Sequence, residues 1–327
     1  MKILVVGYGS IGKRHVKNLL HHTNFQILIC TKQKRLLLPK KRCKIFNSLK
    51  KSIEQKPQCA IVANETSLHV ETATKLAEAG CHLFIEKPLS NSSKGLKKLE
   101  QLIKKHKIIT LMGCNLRFHP GLKRIKQILS RNAIGKIISV QAEFGSYLPD
   151  WHPKEDYRIS FASKKSLGGG VILTIIHELD YLYWLFGNVQ EVSSLTGKFS
   201  DLKINVEDLS AILLKFRNNV IGELHLDYFQ RPITRKCKIL GTKGTIFWDF
   251  ELTKLKIYDV RKKRWIDKMS IKKYNKNQMY IDEIKYFFNC IRKKQKSFND
   301  LSEGIKVLDI ALAIKKSSRQ KKHVKIR

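Results

Sequence analysis

Met1-Lys-Ile-Leu-Val-Val-Gly7-Tyr8-Gly9-Ser10-Ile11-Gly12 opens the chain. A short apolar run ends in G-x-G-x-x-G, and a helix-like segment, Lys13 to Leu20, follows at once. This order predicts a buried strand at Ile3–Val6, a tight turn and a helix N-terminus. The glycines permit the turn, let backbone approach a pyrophosphate and allow the helix to sit close to the strand. The helix N-terminus offers unpaired N–H groups and a partial positive charge to phosphates. Glycines also mark ordinary turns; the strand directly before them makes a dinucleotide fold the better reading.

The strand–helix rhythm continues through the first third. Strands are expected at Gln26–Cys30, Cys59–Ala63, His82–Ile85 and Ile108–Gly113, with helices at Lys13–His21, Leu68–Ala79 and Lys94–His106. Ala79-Gly80 closes the second helix as a C-cap would. The predicted class is α/β, with a doubly wound, mostly parallel Rossmann sheet over residues 1–118. Past Pro120 the pattern changes. A helix at Gly121–Ser130 leads into Lys136–Gly145, and a polar and aromatic loop runs from Tyr147 to Ser163. After Gly168-Gly169-Gly170 comes a helix, Val171–Phe186, closed by Gly187. Alternating segments at Leu209–Phe216, Val220–Tyr228, Arg235–Leu240 and Thr245–Phe250 predict a mainly antiparallel, open-faced sheet. Lys254–Lys276 reads as a solvated hairpin and Glu303–Lys315 as a final helix. Residues 119–327 are thus expected to form an α+β domain for substrate binding and homo-oligomerisation, as a dimer or tetramer through the sheet.

Composition sets further limits. At 327 residues the chain exceeds what one core usually serves, and its 43% hydrophobic content suffices for two. No apolar run reaches membrane-spanning length, and Met1 leads straight into a strand, so neither a membrane anchor nor a signal peptide is expected. The seven cysteines show no C-x-x-C or zinc spacing. They read as reduced thiols of a cytoplasmic protein, and no metal site is expected. The net charge of +37 suggests nucleic acid, yet the basic residues are spread along the chain and only 15 of the 64 are Arg. No recognition-helix, zinc-finger or RRM pattern appears, so no nucleic-acid partner is expected. The surface field should instead attract anionic substrates and cofactors.

Two further clusters sharpen the picture. Glu86-Lys87-Pro88 follows Ala79-Gly80-Cys81-His82, and Asn115-Leu116-Arg117-Phe118-His119-Pro120 lies farther on. With Gly7–Gly12, Ala63-Asn64 and His69, this set resembles the Gfo/Idh/MocA family of nicotinamide-dependent oxidoreductases over essentially the full length. Gly168–Gly187 is similar to the family's glycine-rich entry and catalytic helix, and Ser302–Ser318 to its closing helix. Trp151-His152-Pro153, Asp156-Tyr157-Arg158 and His177-Glu178-Leu179-Asp180 resemble one branch. Its members often accompany genes for surface polysaccharides and nonulosonic acids, which implies a sugar or nucleotide-sugar substrate.

The choice of nicotinamide follows from charge. A carboxylate about twenty residues past the glycines normally holds the ribose hydroxyls of NAD. Here the second strand ends in Cys30-Thr31-Lys32-Gln33-Lys34-Arg35, and the first acidic residue is Glu54. Thr31 and Lys32, Lys34 or Arg35 suit a 2′-phosphate; a solvated basic turn is the plainer alternative. NADP is therefore expected, with NAD use possible. The resemblance adds Asn64, His69, Glu86, Lys87 and Arg117 to Gly7, Tyr8, Gly9, Ser10, Ile11 and Gly12 as cofactor contacts.

Hydride transfer requires a proton to leave the substrate hydroxyl as the hydride departs. Lys87 is expected to orient that hydroxyl, Glu86 to pair with Lys87, and His177 to carry the proton. A lone histidine on an apolar helix is more often a packed core residue, and the family match favours catalysis. The family usually carries an Asp one turn before this histidine. Alignment places Thr174 or Leu173 there, neither a base at neutral pH. Either Lys87 and His177 suffice, or the group comes from elsewhere, or turnover has been lost, leaving a silent dinucleotide-binding sensor or scaffold. Thr174, with Trp151, Tyr157, Arg158, His177 and Arg231, completes the expected substrate set. Asp180 is expected to support His177 or a neighbouring loop.

Overall fold

The computed structural model describes residues 1–33, 36–271 and 273–326. The chain divides into two units, Met1–Asn115 with Lys276–Leu308, and Leu116–Asn275 with Asp309–Arg327. In the first unit, β1 (Lys2–Val6), α1 (Ser10–His22), β2 (Gln26–Cys30), β3 (Cys43–Phe46), α2 (Leu49–Ile53) and β4 (Cys59–Val62) form one half. The other half is α3 (His69–Glu78), β5 (His82–Glu86), α4 (Leu96–Lys105) and β6 (Thr110–Gly113). All six strands are parallel in the order β3-β2-β1-β4-β5-β6. This is the dinucleotide-binding order, with a crevice at the carboxyl ends of β1 and β4 where the winding reverses. Ile3, Leu4 and Val5 of β1 and Cys59, Ala60, Ile61 and Val62 of β4 have no exposed surface. Strands covered on both faces read as continuous apolar runs, which is why they stand out in the sequence.

The pair β3 and α2 was not anticipated. β3 is an edge strand whose Lys44 and Ile45 are exposed, so it lacks a regular apolar pattern. A helix at Gln278–Lys293 was also missed. Its Ile284, Phe287 and Cys290 join the core made by Ile3, Val5, Val16, Leu19 and Ile61. Nearby, Ser297 Oγ donates to Thr110 O at 2.6 Å and Met112 N donates to Asn299 O at 2.8 Å. The single boundary expected after residue 118 therefore omits the return of 276–308 to the first unit.

The second unit contains α5 (Pro120–Ser130), β7 (Ile137–Gly145), α6 (Val171–Thr174) and α7 (His177–Phe186). There follow β8 (Val189–Gly197), β9 (Leu209–Phe216), β10 (Ile221–Asp227), β11 (Thr234–Gly241), β12 (Gly244–Asp249), β13 (Lys254–Asp259), β14 (Arg264–Ser270) and β15 (Val324–Lys325). The sheet runs β14-β13-β12-β11-β7-β10-β9-β8-β15. It is mainly antiparallel, with β7 and β10 paired in parallel. The hairpin β13–β14 falls within the segment read as one. The helix expected over 171–186 is broken: Ile175 adopts φ −101°, ψ 34°. Ile175 and Ile176 at the break are adjacent, β-branched and buried, residues that favour a helix less than most apolar ones. The closing helix is longer than expected, at Leu301–Gln320. Among the described residues no helix is long and apolar enough to cross a membrane.

Candidate active site

The opening glycines have three different reasons to be glycine. Gly7 sits at φ +94°, and a Cβ there would stand 2.4 Å from Ala63 O. A Cβ on Gly12 would meet Gly7 O at 2.2 Å, so this residue lets α1 close onto the turn. Gly9 caps α1 without a side-chain bond, and nothing lies within 4 Å of a Cβ placed on it. The helix N-terminus is thus open, and no acidic residue occupies its first turn. Gly9, Ser10 and Ile11 fit an anionic group such as a pyrophosphate. Tyr8 is half-buried beside them, with Lys13 Nζ 5.9 Å from its ring.

At the end of β2, Thr31 Oγ1 accepts from Gln33 N at 3.2 Å and keeps its own proton to donate. Gln33 Nε2 donates to Tyr8 O at 3.1 Å, joining the turn after β2 to the glycine turn. Gln33 was given no role from sequence; only its place between two basic residues could have marked it. Lys32 is exposed, and Lys34 and Arg35 lie outside the described residues. Thr31 and Lys32 fit a ribose phosphate.

Two buried imidazoles flank the turn after β5. Glu86 was expected to pair with Lys87. Its Oε1 instead lies 2.5 Å from Nε2 of His15 on α1, while Oε2 accepts from Lys87 N at 3.3 Å. His69 was expected to touch the cofactor, yet it is 1% exposed. Its Nδ1 and Nε2 lie 2.8 and 3.0 Å from the carbonyl oxygens of Pro88 and Asn64. Burial pushes its pKa down against these two carbonyls. A neutral imidazole carries one N–H, so His69 donates to either the Pro88 or the Asn64 carbonyl, according to its tautomer. Asn64 Nδ2 donates to Thr72 Oγ1 at 3.0 Å, and Lys87 remains half-exposed at the strand end.

In the second unit, His177 opens α7 just past the helix break and is half-buried. Glu178, the next residue, is buried and accepts from Arg235 Nε at 2.7 Å. Arg117 was expected among the cofactor contacts. Its side chain has no exposed surface, and its Nε lies 3.1 and 3.0 Å from the Asp180 oxygens, with Nη2 at 2.8 Å from Oδ1. Arg117 and Asp180 form a buried bidentate pair one turn along α7 from His177. Asp180 thus supports the helix rather than the imidazole.

Thr174 is 4% exposed and its Oγ1 is fully buried, so it does not face a substrate as expected. Its hydroxyl lies close to the phenol of Tyr228, whose pKa burial raises well above the usual value. The polar and aromatic loop that follows β7 holds four short turns of 3-10 helix. Trp151 Nε1 donates to Ser146 Oγ at 3.0 Å, and its ring stands edge-on to Tyr228 at 5.5 Å. The Arg231 guanidinium carbon lies 3.3 Å from the Tyr147 ring centroid. Trp151 and Arg231 thus keep aromatic company suited to a sugar. Arg158 is exposed, and its hydrogen bond to Asp156 lowers that carboxyl's pKa. The Tyr157 hydroxyl accepts from Lys203 N at 3.2 Å. The Arg158 contact is thus local to the loop, whereas Tyr157 meets a residue 46 positions away.

Known proteins share both halves of this arrangement. Residues 1–114 match the model described as an oxidoreductase family with an NAD-binding Rossmann fold, and residues 122–247 match that of the GFO/IDH/MocA C-terminal domain. The chain is 25% identical to myo-inositol 2-dehydrogenase of Thermotoga maritima over 342 aligned positions, covering 100% of this chain and 98% of that one. It is 25% identical to 2,7-anhydro-N-acetylneuraminate hydratase of Escherichia coli over 256 positions, covering 76% and 68%. A solved levoglucosan dehydrogenase in complex with NADH and levoglucosan shares the fold, with a TM-score of 0.87 at 19% identity, covering 100% and 99%.

Proposed function

Because the chain belongs to the Gfo/Idh/MocA family of oxidoreductases, we propose that it moves a hydride between NADP, with NAD as the lesser alternative, and a hydroxyl-bearing carbon of a sugar or nucleotide sugar. The proposed setting is cytoplasmic surface-polysaccharide or nonulosonic-acid metabolism, the latter in keeping with the name of the anhydro-neuraminate relative. One arrangement supports this reading above others. The open Gly9 cap, the Thr31 hydroxyl and Lys87 stand at the carboxyl ends of β1, β2 and β5, parallel strands of one sheet. Dinucleotides bind at such ends.

When bound, the nicotinamide supplies the carbon that accepts or returns the hydride. Gly9–Gly12 hold the pyrophosphate through backbone N–H groups, and Thr31 and Lys32 hold the 2′-phosphate. In the oxidative direction the Lys87 ammonium donates to the reacting oxygen and lowers the cost of its developing charge. His177 takes the hydroxyl proton as the carbonyl forms and returns it in reduction. Trp151 and Arg231 orient the sugar. The open face of the nine-stranded sheet is proposed to join subunits: Leu195, Leu213 and Ile221 are 77, 54 and 42% exposed on the adjoining strands β8, β9 and β10.

A second reading, a dinucleotide-binding protein without turnover, is favoured by the burial of the Thr174 hydroxyl where the family pattern has a carboxylate. Fluorescence titration of the protein and of Lys32→Ala with NADPH and NADH tests the cofactor; tighter NADH binding overturns the NADP preference. Turnover of myo-inositol, levoglucosan, N-acetylneuraminate and UDP-linked hexoses tests the activity. Activity that survives Lys87→Ala and His177→Ala overturns the assigned roles. Tight NADPH binding without turnover of any panel member supports the second reading.

A further inference from the structure

His15 stands three residues past the last glycine of the opening motif and has no exposed surface. Its Nε2 lies 2.5 Å from Glu86 Oε1, whereas Nδ1 is buried and has no hydrogen-bond partner among the described residues. The ring proton therefore belongs on Nε2, where the carboxylate accepts it. The imidazole is held edge-on to Phe84 at 5.1 Å and to Tyr280 at 6.4 Å, which fixes its plane. The other Glu86 oxygen accepts from the Lys87 amide. Gly113 of β6 makes room for this carboxylate, since a Cβ there would stand 3.0 Å from Glu86 Cδ and Oε2.

We propose that His15 is a positioning residue for Lys87, acting through Glu86 to fix the Lys87 amide relative to the helix that starts at the glycine turn. A buried carboxylate is costly unless paired, and apolar side chains would fill the same volume without that cost. The pairing is instead built so that one oxygen is held by α1 and the other holds Lys87. On the far side of the lysine, His69 Nδ1 lies 2.8 Å from the Pro88 carbonyl, so a buried imidazole stands against each neighbour of Lys87. The backbone from which the Lys87 side chain departs is thereby tied to α1. This role rests on the reading of Lys87 as the residue that meets the substrate oxygen.

The test compares full-length His15→Leu, His15→Gln and His15→Asn. The Gln amide nitrogen reaches the position of Nε2, and the shorter Asn does not. Three quantities are measured: NADPH affinity by fluorescence, trace acetylation of the Lys87 amine by acetic anhydride followed by peptide mass spectrometry, and kcat with KM for a panel sugar that turns over. His15→Leu and His15→Asn should lower kcat by about tenfold to a hundredfold, the scale of an ångström-sized misplacement, with KM and NADPH affinity little changed. Both should also alter the labelling rate of Lys87, and His15→Gln should restore both readouts. Unchanged kcat and labelling in the Leu and Asn variants, or equal impairment of Gln and Asn, overturns the proposal. Should Leu fail to fold, the Gln–Asn comparison decides. Should no panel sugar turn over, labelling decides: a changed rate rescued by Gln upholds positioning, and an unchanged rate overturns it. Absence of turnover in the parent protein counts against the proposed function alone.

Discussion

Replacing Arg117 with methionine separates two roles for a residue that sequence motifs place near the cofactor. In the structure its guanidinium meets both Asp180 oxygens at 3.0 and 3.1 Å through Nε and Oδ1 again at 2.8 Å through Nη2. The side chains are 0 and 1% exposed, so the Arg117→Met change would leave the Asp180 charge buried without its counter-ion. Breaking such a pair costs about 3–5 kcal/mol. At about 2–4 °C per kcal/mol for a unit of this size, the melting temperature should fall by roughly 6–20 °C. The double variant Arg117→Met, Asp180→Leu removes both charges and should recover most of the loss, since well-packed apolar residues replace buried pairs at little or no cost. NADPH affinity, measured below the melting temperature, should stay within about twofold, a difference of under half a kcal/mol. Thermal denaturation and fluorescence titration read these outcomes. A single variant that loses less than about 1 kcal/mol, the range of an exposed pair, while NADPH affinity falls tenfold would refute the structural role.

Four more substitutions test the site and its surroundings. Gly9→Ala should leave stability within about 0.5 kcal/mol, because its Cβ enters open space. It should weaken NADPH binding, whereas Gly12→Ala, with its Cβ 2.2 Å from Gly7 O, should destabilise the fold by about 1–3 kcal/mol or more, as denaturant titration would show. Thr174→Val should change stability by no more than about 1–3 kcal/mol, as it removes a buried hydroxyl that lies beside the Tyr228 phenol. It should not raise the KM for sugar; a large rise would return Thr174 to the substrate. His225 Nε2 lies 3.1 Å from Asp227 Oδ2, whose hydrogen bond raises the imidazole pKa above 6.5. Its contribution to stability is complete below the unfolded pKa and fades as pH rises through the folded midpoint. NMR titration should place that midpoint above 6.5, and Asp227→Asn should lower it.

What the sequence disclosed follows from how each signal is written. Gly7 and Gly12 carry backbone geometry in residue identity alone, and Ile3–Val6 and β4 are apolar because both faces are covered. Long-range partners are not written locally. His15 reads as one polar residue on an otherwise ordinary amphipathic helix, and its meaning depends on Glu86, 71 positions away. Arg117 and Asp180 are separated by 63 positions, so an arginine inside a family motif could be assigned to a ligand when its carboxylate partner was out of view. The break at Ile175-Ile176 was hidden because both residues continue the apolar run. The missed helix at Gln278–Lys293 was legible, with Met279, Ile281, Ile284, Phe287 and Cys290 buried at helical spacing.

That helix bears on how the protein comes into being. Ile284, Phe287 and Cys290 share a core with Ile3 and Val5, residues that leave the ribosome some 280 positions earlier. A nascent chain that has completed the six-stranded sheet still shows water the face that Val16 and Leu19 will later bury with this helix. Closing contacts across so long a separation is slow, and an uncovered apolar face invites association in the meantime. The first unit to be translated is therefore among the last to be finished, and a nonsense codon near residue 276 would forfeit the cofactor half as surely as one near the start.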